Sequence, residues 1–452
     1  MRIILGLFFL LFIGYTGAQN ILQGRITGYE NQKLSLAKYK GDRLYITDTV
    51  ITTSDGKFSF IDKKYLSGQF RLVINSKKSV DFFFDGHPQT IQTHIQYFAD
   101  SLKANAESGT ELYFKFTQAE IKYHQKLDLL GEMLDRYPDS DEFYKNIERE
   151  YINSQYSFNQ LLEKAIGNCN NSLLKSYLTT RRQSTIPFIL KAYERIVWQK
   201  EHDLLPCPFT DSLLIRTNAY SRRIIEFLAL YSDPSMNKSE IQTSFILGLQ
   251  KLKSYVSPNP VVFTFITNYL IEGFERYGFE DVLLYMSDQF KPQSCDNPAS
   301  ISVQERLDAI RRLSTGNPAP AINGFDSKGH RFNSRELKKP YTLVVFWASW
   351  CPHCNEILPQ LREIYDQTKQ KDWEVLAFSI DTDQKAWLNS LKQHQFQWIN
   401  ISDLKGWDGE TATAWALNAT PVFFLIDKDQ RIIAKPTTYA EIVELLDNLK
   451  LL

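Results

Sequence analysis

The segment Trp350-Cys351-Pro352-His353-Cys354 places two thiols three positions apart at the predicted start of a helix. Residues 343–347 are apolar and predict a buried strand, so Cys351 falls where a strand passes into a helix. Pro352 suits the first helical position because its missing N–H would have no partner there. Two cysteines with this spacing predict an exchangeable dithiol or disulfide, which makes Cys351 and Cys354 the expected redox-active pair.

Electrostatics predicts different roles for the two sulfurs. The free N–H groups and positive dipole end of the helix stabilise a thiolate on Cys351. A protonated His353 would add a cation near the same sulfur. Cys354 lies one helical turn further in, so we expect it to be the more buried, resolving thiol. His353 and Cys351 are therefore candidate catalytic residues together with Cys354.

Two other uses of a C-x-x-C pair stay open at this point, a zinc half-site and a structural disulfide. Zinc normally takes four ligands, and the sequence has no second C-x-x-C and no H-x-x-x-H. A disulfide that closes so small a ring removes little entropy from the unfolded chain. We therefore expect no metal at this site and no bound cofactor.

These residues resemble the thioredoxin superfamily, specifically its TlpA/ResA-like periplasmic thiol-disulfide oxidoreductases. The resemblance covers residues 317–452, under a third of the chain, and rests on residues 346–354, Pro359, and Thr420-Pro421 followed by a predicted strand at 422–427. It implies an α/β thioredoxin-like fold and thiol-disulfide exchange with protein substrates.

The resemblance also implies roles for residues outside the dithiol. In the family, the proline that opens the last strand is cis and sits against the dithiol, which gives Pro421 a catalytic role here. The backbone of Thr420 would pair with an extended substrate segment by strand addition. Trp350, Pro352 and Thr420 are the predicted substrate-binding residues.

One position departs from the family pattern. Thioredoxin has a buried aspartate six residues before its first cysteine, where this chain has Val345. Another group or water must then take the proton of Cys354. Glu356 and Asp381 are candidates, although each is predicted to be a solvated surface acid.

Residues 1–18 predict a secretory signal peptide, with Arg2, an apolar run at 3–13 and small residues before Gln19. The apolar run is shorter than the roughly 20 residues that a spanning helix needs, so cleavage is favoured over a membrane anchor. The mature chain is expected to be exported, to the bacterial periplasm given the resemblance, without a stable membrane span.

Composition narrows the partners. Lys plus Arg equals Asp plus Glu at 52 each among 452 residues, which argues against a nucleic-acid partner. The length suggests about three domains. The resemblance implies protein thiols and disulfides as partners, with an unidentified redox partner that supplies or accepts electrons.

Three domains are predicted after the signal peptide: a β-sandwich at 19–100, a helical bundle at 101–314 and the thioredoxin-like domain at 315–452. Short alternating strands mark the first, which resembles a domain of unknown function found ahead of thioredoxin modules in exported proteins of Bacteroidetes-type bacteria. There, Ser54-Asp55-Gly56-Lys57 predicts a hairpin. Helical periodicity marks the second, and Asn259-Pro260 is expected to open one of its helices.

The helical region holds three further cysteines, Cys169, Cys207 and Cys295. With the redox pair the total is five, so at least one thiol is unpaired or pairs between molecules. A bridge between Cys207 and Cys295 is one possibility, and a buried inert thiol is another.

The sequence thus predicts an exported thiol-disulfide oxidoreductase that works through a Cys-Pro-His-Cys dithiol. The Pro-His dipeptide matches strongly oxidising DsbA-type enzymes, whereas the TlpA/ResA-like surroundings favour a reductase over an oxidase or isomerase. One alternative is a non-catalytic binding module with a thioredoxin-like docking domain. Another is a thiol peroxidase, whose P-x-x-x-T-x-x-C pattern would need proline and threonine in place of Val344 and Ala348.

Overall fold

The structure is a computed structural model that describes residues 21–61, 65–99, 101–105, 108–292 and 298–452. The predicted signal peptide at 1–18 lies outside these residues. The chain divides into two compact units, one up to Leu230 and one from Tyr231 to Leu452. The predicted domain boundaries at 18/19, 100/101 and 314/315 remain predictions.

The first unit begins with two four-stranded sheets. Its strands are β1 (Ile21–Thr27), β2 (Lys33–Lys40), β3 (Arg43–Ile51), β4 (Lys57–Ile61), β5 (Gly68–Asn75), β6 (Lys78–Phe84), β7 (Gln89–His94) and β8 (Lys103–Ala104). One sheet has the order β4-β1-β7-β8 and the other β3-β2-β5-β6. Buried side chains of both sheets, such as Ile26, Phe60, Leu72 and Phe82, share one hydrophobic cluster.

The hairpin predicted at Ser54–Lys57 is wrong. The turn is present and Gly56 has a φ of +78°, but the strands it joins do not pair. β3 pairs with β2, whereas β4 pairs with β1 in the other sheet. The reason is burial: β4 places Phe58 and Phe60 in the shared core, while most of β3 is exposed. The turn therefore carries the chain from one sheet to the other.

Helices follow in the first unit: α1 (Thr110–Arg136), α2 (Tyr144–Gly167), α3 (Ser172–Thr179), α4 (Ala192–His202) and α5 (Ala219–Ala229). A buried ion network links three of them. Arg181, just after α3, donates from Nε to Glu120 of α1 at 2.7 Å and pairs with Glu226 of α5 at 2.9 Å. The Arg181 and Glu120 side chains are 0% and 1% exposed, so each charge is compensated where water cannot reach it.

The second unit opens with α6 (Lys238–Val256), α7 (Pro260–Arg276), α8 (Glu280–Gln289) and α9 (Pro298–Arg312). The predicted opening of α7 is confirmed, because Asn259 caps it by accepting from the N–H groups of Val261 and Val262. Gly278, with a φ of +62°, follows its end. In the part of the chain that the structure describes, no helix is both long and apolar enough to cross a bilayer.

A seven-stranded mixed sheet completes the second unit. Its strands are β9 (Asn323–Asp326), β10 (Arg331–Asn333), β11 (Tyr341–Trp347), β12 (Trp373–Ser379), β13 (Ile399–Ser402), β14 (Val422–Asp427) and β15 (Ile432–Ala434), in the order β10-β9-β13-β12-β11-β14-β15. Its helices are α10 (Pro352–Thr368), α11 (Gln384–His394), α12 (Glu410–Ala414) and α13 (Tyr439–Asn448). The central strand β11 is parallel to β12 and antiparallel to β14, and all but its first residue is buried.

Candidate functional site

Cys351 lies at the junction of the central strand and α10, as the sequence predicts. β11 ends at Trp347, and the N–H of Cys351 donates to the carbonyl of Ala348 at 3.2 Å, which closes the turn. Cys351 is the N-cap of α10, with an extended backbone, and Pro352 occupies the first turn. A strand that is buried in all but its first residue therefore delivers the first sulfur to the positive end of a helix.

The Cys351 sulfur has two polar contacts. It accepts the backbone N–H of Cys354 at 3.3 Å, and its thiol donates to the Thr420 carbonyl at 3.3 Å. The first contact uses a helix N–H that has no partner within the helix. An anion on Cys351 would strengthen that contact and would repel the carbonyl oxygen of Thr420.

The two thiols, both free, differ in their surroundings. Cys351 is 4% exposed, whereas Cys354 is fully buried. Burial, and then its hydrogen bond with Cys351, raise the pKa of the Cys354 thiol to about 12. Cys354 therefore holds its proton, and Cys351 is the less buried of the two sulfurs.

Pro352 and His353 lie on the exposed side of the first turn. The His353 imidazole faces Glu356, with Nδ1 3.6 Å from the carboxylate Oε2. Both side chains are more than 70% exposed, so Glu356 is the solvated acid that the sequence predicts. Water screens a pair this exposed, so the pair contributes little to stability.

Thr420 and Pro421 lie beside the dithiol at the start of β14. The Thr420–Pro421 peptide bond is cis, as the resemblance implies. The Thr420 carbonyl accepts from Cys351, and both residues are partly exposed. The structure thus brings together Cys351, Cys354 and Thr420, while the His353 imidazole lies beside Glu356.

Asp381 is not the solvated surface acid that the sequence predicts. It is 1% exposed, and its carboxylate accepts three hydrogen bonds: from the N–H of Ser349 at 3.0 Å, the Ser349 hydroxyl at 2.6 Å and the Ser379 hydroxyl at 2.6 Å. Three donors replace water around the buried charge, which is why the carboxylate tolerates burial. Asp381 thereby holds the turn two residues before Cys351.

A polar cavity of about 470 Å³ lies beside this turn. It is lined by Ser349, Asn355, Ala386, Asn389, Ser390, Gln393 and His394. Asn355 donates to the Ser349 carbonyl at 3.2 Å, which links the start of α10 to the cavity wall. Burial, and then the nearby Arg362, lower the pKa of His394, so the cavity carries no fixed positive charge from this residue near neutral pH.

Two exposed tryptophans lie next to each other at this end of the sheet. Trp350, predicted as a substrate-binding residue, is 57% exposed, and Trp407 is 42% exposed. Their ring centroids are 6.3 Å apart. Trp407 was not predicted from the sequence because it lies 57 positions from Trp350, and only its exposure in a segment after β13 marks it.

Of the remaining cysteines, two belong to the first unit and one lies outside the described residues. Cys169 and Cys207 are buried free thiols, and burial raises the pKa of Cys207 to about 12. Cys295 lies outside the described residues, and with it the predicted Cys207–Cys295 bridge. Within the described ranges, no group of three or more His, Cys, Asp or Glu side chains could hold a metal ion.

Known proteins that are similar to this chain are named as thiol-disulfide oxidoreductases. A model of the Redoxin family matches residues 314–444. Thiol-disulfide oxidoreductase ResA of Bacillus thuringiensis subsp. konkukian is 30% identical over 122 residues, which cover 27% of this chain and 69% of that protein. ResA of a Bacillus cereus strain is 28% identical over 124 residues, 27% of this chain and 70% of that protein.

Solved structures also match this region. One is the thioredoxin domain of a thiol-disulfide oxidoreductase from Bacteroides vulgatus, with 26% identity and a TM-score of 0.29. The match covers 30% of this chain and 98% of that chain.

Proposed function

This chain belongs to the ResA-like thiol-disulfide oxidoreductases of the thioredoxin superfamily, and on that premise we propose that Cys351 and Cys354 exchange disulfides with protein substrates. One observation carries the proposal: the Cys351 sulfur lies at the N-cap of α10, where it accepts the Cys354 N–H at 3.3 Å. Such a position stabilises the thiolate, which is the nucleophile of disulfide exchange.

The proposed reaction has two exchange steps. The Cys351 thiolate attacks one sulfur of the substrate disulfide, and the other substrate sulfur leaves as a thiolate. Cys354 then loses its proton and attacks the Cys351 sulfur of the mixed disulfide, which releases the second substrate thiolate. Two electrons pass to the substrate, and the protein ends as a Cys351–Cys354 disulfide. The same steps in reverse oxidise a substrate dithiol.

The buried thiol of Cys354 supports this division of roles. Its raised pKa keeps it protonated in the free reduced protein, so Cys351 attacks first. Formation of the mixed disulfide removes the negative charge on the Cys351 sulfur. Because that charge opposes ionisation of Cys354, its loss favours the second step.

We favour reduction as the direction of flow, in keeping with the ResA-like surroundings of the motif. The Pro352-His353 dipeptide favours oxidation, because a cation near the thiolate stabilises the reduced form. His353, however, is 78% exposed and 3.6 Å from Glu356, so its effect on the sulfur is screened and partly cancelled. The same proposal includes an exported location and a separate electron donor. It also includes an accessory β-sandwich and a helical domain.

Insulin reduction in the presence of dithiothreitol tests the proposed activity. We expect Cys351→Ser to lower the rate to that of dithiothreitol alone, and Cys207→Ser, which removes a buried thiol of the first unit, to leave it unchanged. Reduced Cys354→Ser, freed of dithiothreitol and then mixed with insulin, should accumulate a mixed disulfide that resists alkylation and is visible on non-reducing gels. Equal rates for wild type and Cys351→Ser would rule out the enzyme and favour the binding module.

A further inference from the structure

The tryptophans of the second unit fall into two classes by the exposure of their side chains. It contains seven, of which five are at most 4% exposed: Trp347, Trp373, Trp387, Trp398 and Trp415. The other two are Trp350 and Trp407, which contact each other with ring centroids 6.3 Å apart. We call them the Trp350–Trp407 pair. Two large aromatic side chains that remain in water at one spot, when the fold buries the others, indicate a surface for a partner.

Trp407 is held in place by its backbone. It follows Gly406, whose φ of +61° suits glycine, and a Cβ there would lie 2.9 Å from Cγ2 of Thr382. Upstream, the N–H of Leu404 donates to the Ser402 hydroxyl at 3.0 Å, and that hydroxyl donates to the Ser379 carbonyl at 2.9 Å. The turn that carries Trp407 is thus fixed to the end of β12.

The turn that carries Trp350 is fixed to the same strand end. Ser379 and Ser349 both donate to the Asp381 carboxylate. One buried network therefore supports both tryptophans. Because both turns are fixed, a partner that binds the pair has to order only the two side chains and not the turns as well, which lowers the entropy cost of binding.

The position of the pair identifies the occupant. Trp350 immediately precedes Cys351, so any cysteine that forms a mixed disulfide with Cys351 brings its neighbouring residues close to Trp350. Only a polypeptide carries side chains next to its cysteine. A large apolar side chain there would leave water and cover both indole rings.

We propose that the Trp350–Trp407 pair binds an aromatic or large aliphatic side chain next to the disulfide cysteine of a polypeptide substrate, with Trp407 as a specificity-determining residue. The inference rests on the proposed function and names its substrate class. It predicts discrimination between protein disulfides by the residues that flank them.

The test uses the full chain and two synthetic peptides, each dimerised through a single disulfide. The peptides are identical except that phenylalanine or serine flanks the cysteine on both sides. Reduced protein is mixed with each peptide, and the thiols released are quantified by mass spectrometry. The rate of dithiothreitol with the same peptides corrects for their intrinsic reactivity. The readout is the ratio of the two rate constants, in which a general change in thiol reactivity cancels.

We expect wild type to prefer the phenylalanine peptide about tenfold, the size of one aromatic contact. Trp407→Ala should bring the ratio close to one, and Trp407→Phe should keep most of it. Tyr277→Ala removes another exposed aromatic side chain, 65% exposed in the same unit, and should keep the wild-type ratio.

Each other outcome has a separate meaning. If wild type reduces neither peptide, the proposed function fails. If it reduces both equally, or if Trp407→Ala keeps the wild-type ratio, the docking inference alone is overturned. Sedimentation of wild type and Trp407→Ala tests whether a second copy covers the pair. A dimer that dissociates in the variant would also overturn the inference.

Discussion

The reactivity of Cys351 depends on the backbone that carries it, and Asp381 holds that backbone. Its carboxylate accepts both the N–H and the hydroxyl of Ser349, two residues before the sulfur. No cation contacts it among the hydrogen bonds and ion pairs of the described residues, so its donors alone stabilise the buried charge. Asp381 is therefore a positioning residue for the turn rather than a solvated acid.

Replacing Asp381 with Asn should destabilise the protein and slow exchange. An amide NH₂ group in place of Oδ2 would face both the Ser349 N–H and the Ser379 hydroxyl, and the backbone N–H cannot turn away. In place of Oδ1 it would face the Ser349 hydroxyl, and in either orientation the hydrogen bonds to a charged carboxylate are lost. We expect the free energy of unfolding to fall by about 2–4 kcal/mol in urea titration. Insulin reduction should slow about tenfold because the sulfur is held less precisely.

Asp383→Asn is the matched control for this substitution. Asp383 is exposed and caps α11 by accepting from the N–H groups of Lys385 and Ala386, a task that asparagine performs equally well. Its variant should match wild type in stability and rate. An Asp381→Asn protein that is as stable as the Asp383→Asn protein would show that the buried carboxylate is not needed.

The sequence indicates the redox-active cysteines but not the residues that hold the turn before them or the second tryptophan beside them. The Cys351–Cys354 spacing, the apolar strand before it and Pro352 are local signals, and local signals are readable along the chain. Asp381 and Trp407 approach the motif only through strand pairing: the register of β11 with β12 places Trp347 opposite Ser379. That register depends on contacts between distant segments, so the sequence alone assigned Asp381 to the surface and gave Trp407 no role.

At the scale of elements, the helices of the first unit depend on charges that are compensated inside it. Burial opposes ionisation of Glu226, but Arg181 outweighs it together with Arg222 and Arg223, and the pKa of Glu226 is lowered to about 2. Glu120 completes the network, with Arg222 at 3.0 Å from its second oxygen. α1, the end of α3 and α5 are thus joined by charge as well as by apolar packing.

This network predicts a specific pH dependence. Because folding lowers the pKa of Glu226 from 4.5 to about 2, its contribution to stability is present above about pH 4.5 and is lost as the pH falls toward 2. We expect Glu226→Gln to be less stable than wild type by about 1–3 kcal/mol at pH 7, a range reduced because the side chain is partly exposed. The difference in the free energy of unfolding between wild type and Glu226→Gln should decrease between pH 4.5 and 3 in urea titrations.

Glu163→Gln provides the control for the pH experiment. Glu163 pairs with Arg182 through two hydrogen bonds, but both side chains are more than 40% exposed. An exposed pair of this kind contributes about 0–1 kcal/mol, so this variant should stay close to wild type throughout. If wild type and Glu226→Gln differ in the free energy of unfolding by the same amount at pH 7 and pH 3, the assigned ion network is contradicted.

Strand assignment shows what sequence patterns can and cannot supply at this scale. Turn residues such as Gly56 and caps such as Asn259 act locally, so the sequence predicts them correctly. Pairing partners do not follow from a turn, because apolar burial decides them: Phe58 and Phe60 take β4 into the shared core and away from β3. The spacing of apolar residues thus predicts whether a segment is a helix or a strand more securely than it predicts which strand will pair with it.

For the whole molecule, the helices after Tyr231 matter because they contact the thioredoxin-like sheet region within the second unit. Lys238 of α6 pairs with Glu441 of α13 at 2.9 Å, and Glu280 of α8 accepts from the N–H of Thr315 at 2.8 Å. Leu313 belongs to the same hydrophobic cluster as the central strand β11. The redox domain is therefore supported by residues that precede position 315.

A fragment from Tyr231 to Leu452 should fold alone and reduce insulin at the rate of the full chain within about a factor of two, since a compact unit with its own core can fold independently. A shorter fragment that starts at residue 315 lacks Leu313 and the contacts of Glu280, so it should melt at a lower temperature. Differential scanning calorimetry compares the two directly. Equal melting temperatures would mean that α6 to α9 do not stabilise the sheet region. If the Tyr231–Leu452 fragment folds but cannot reduce insulin, the first unit is needed for the reaction.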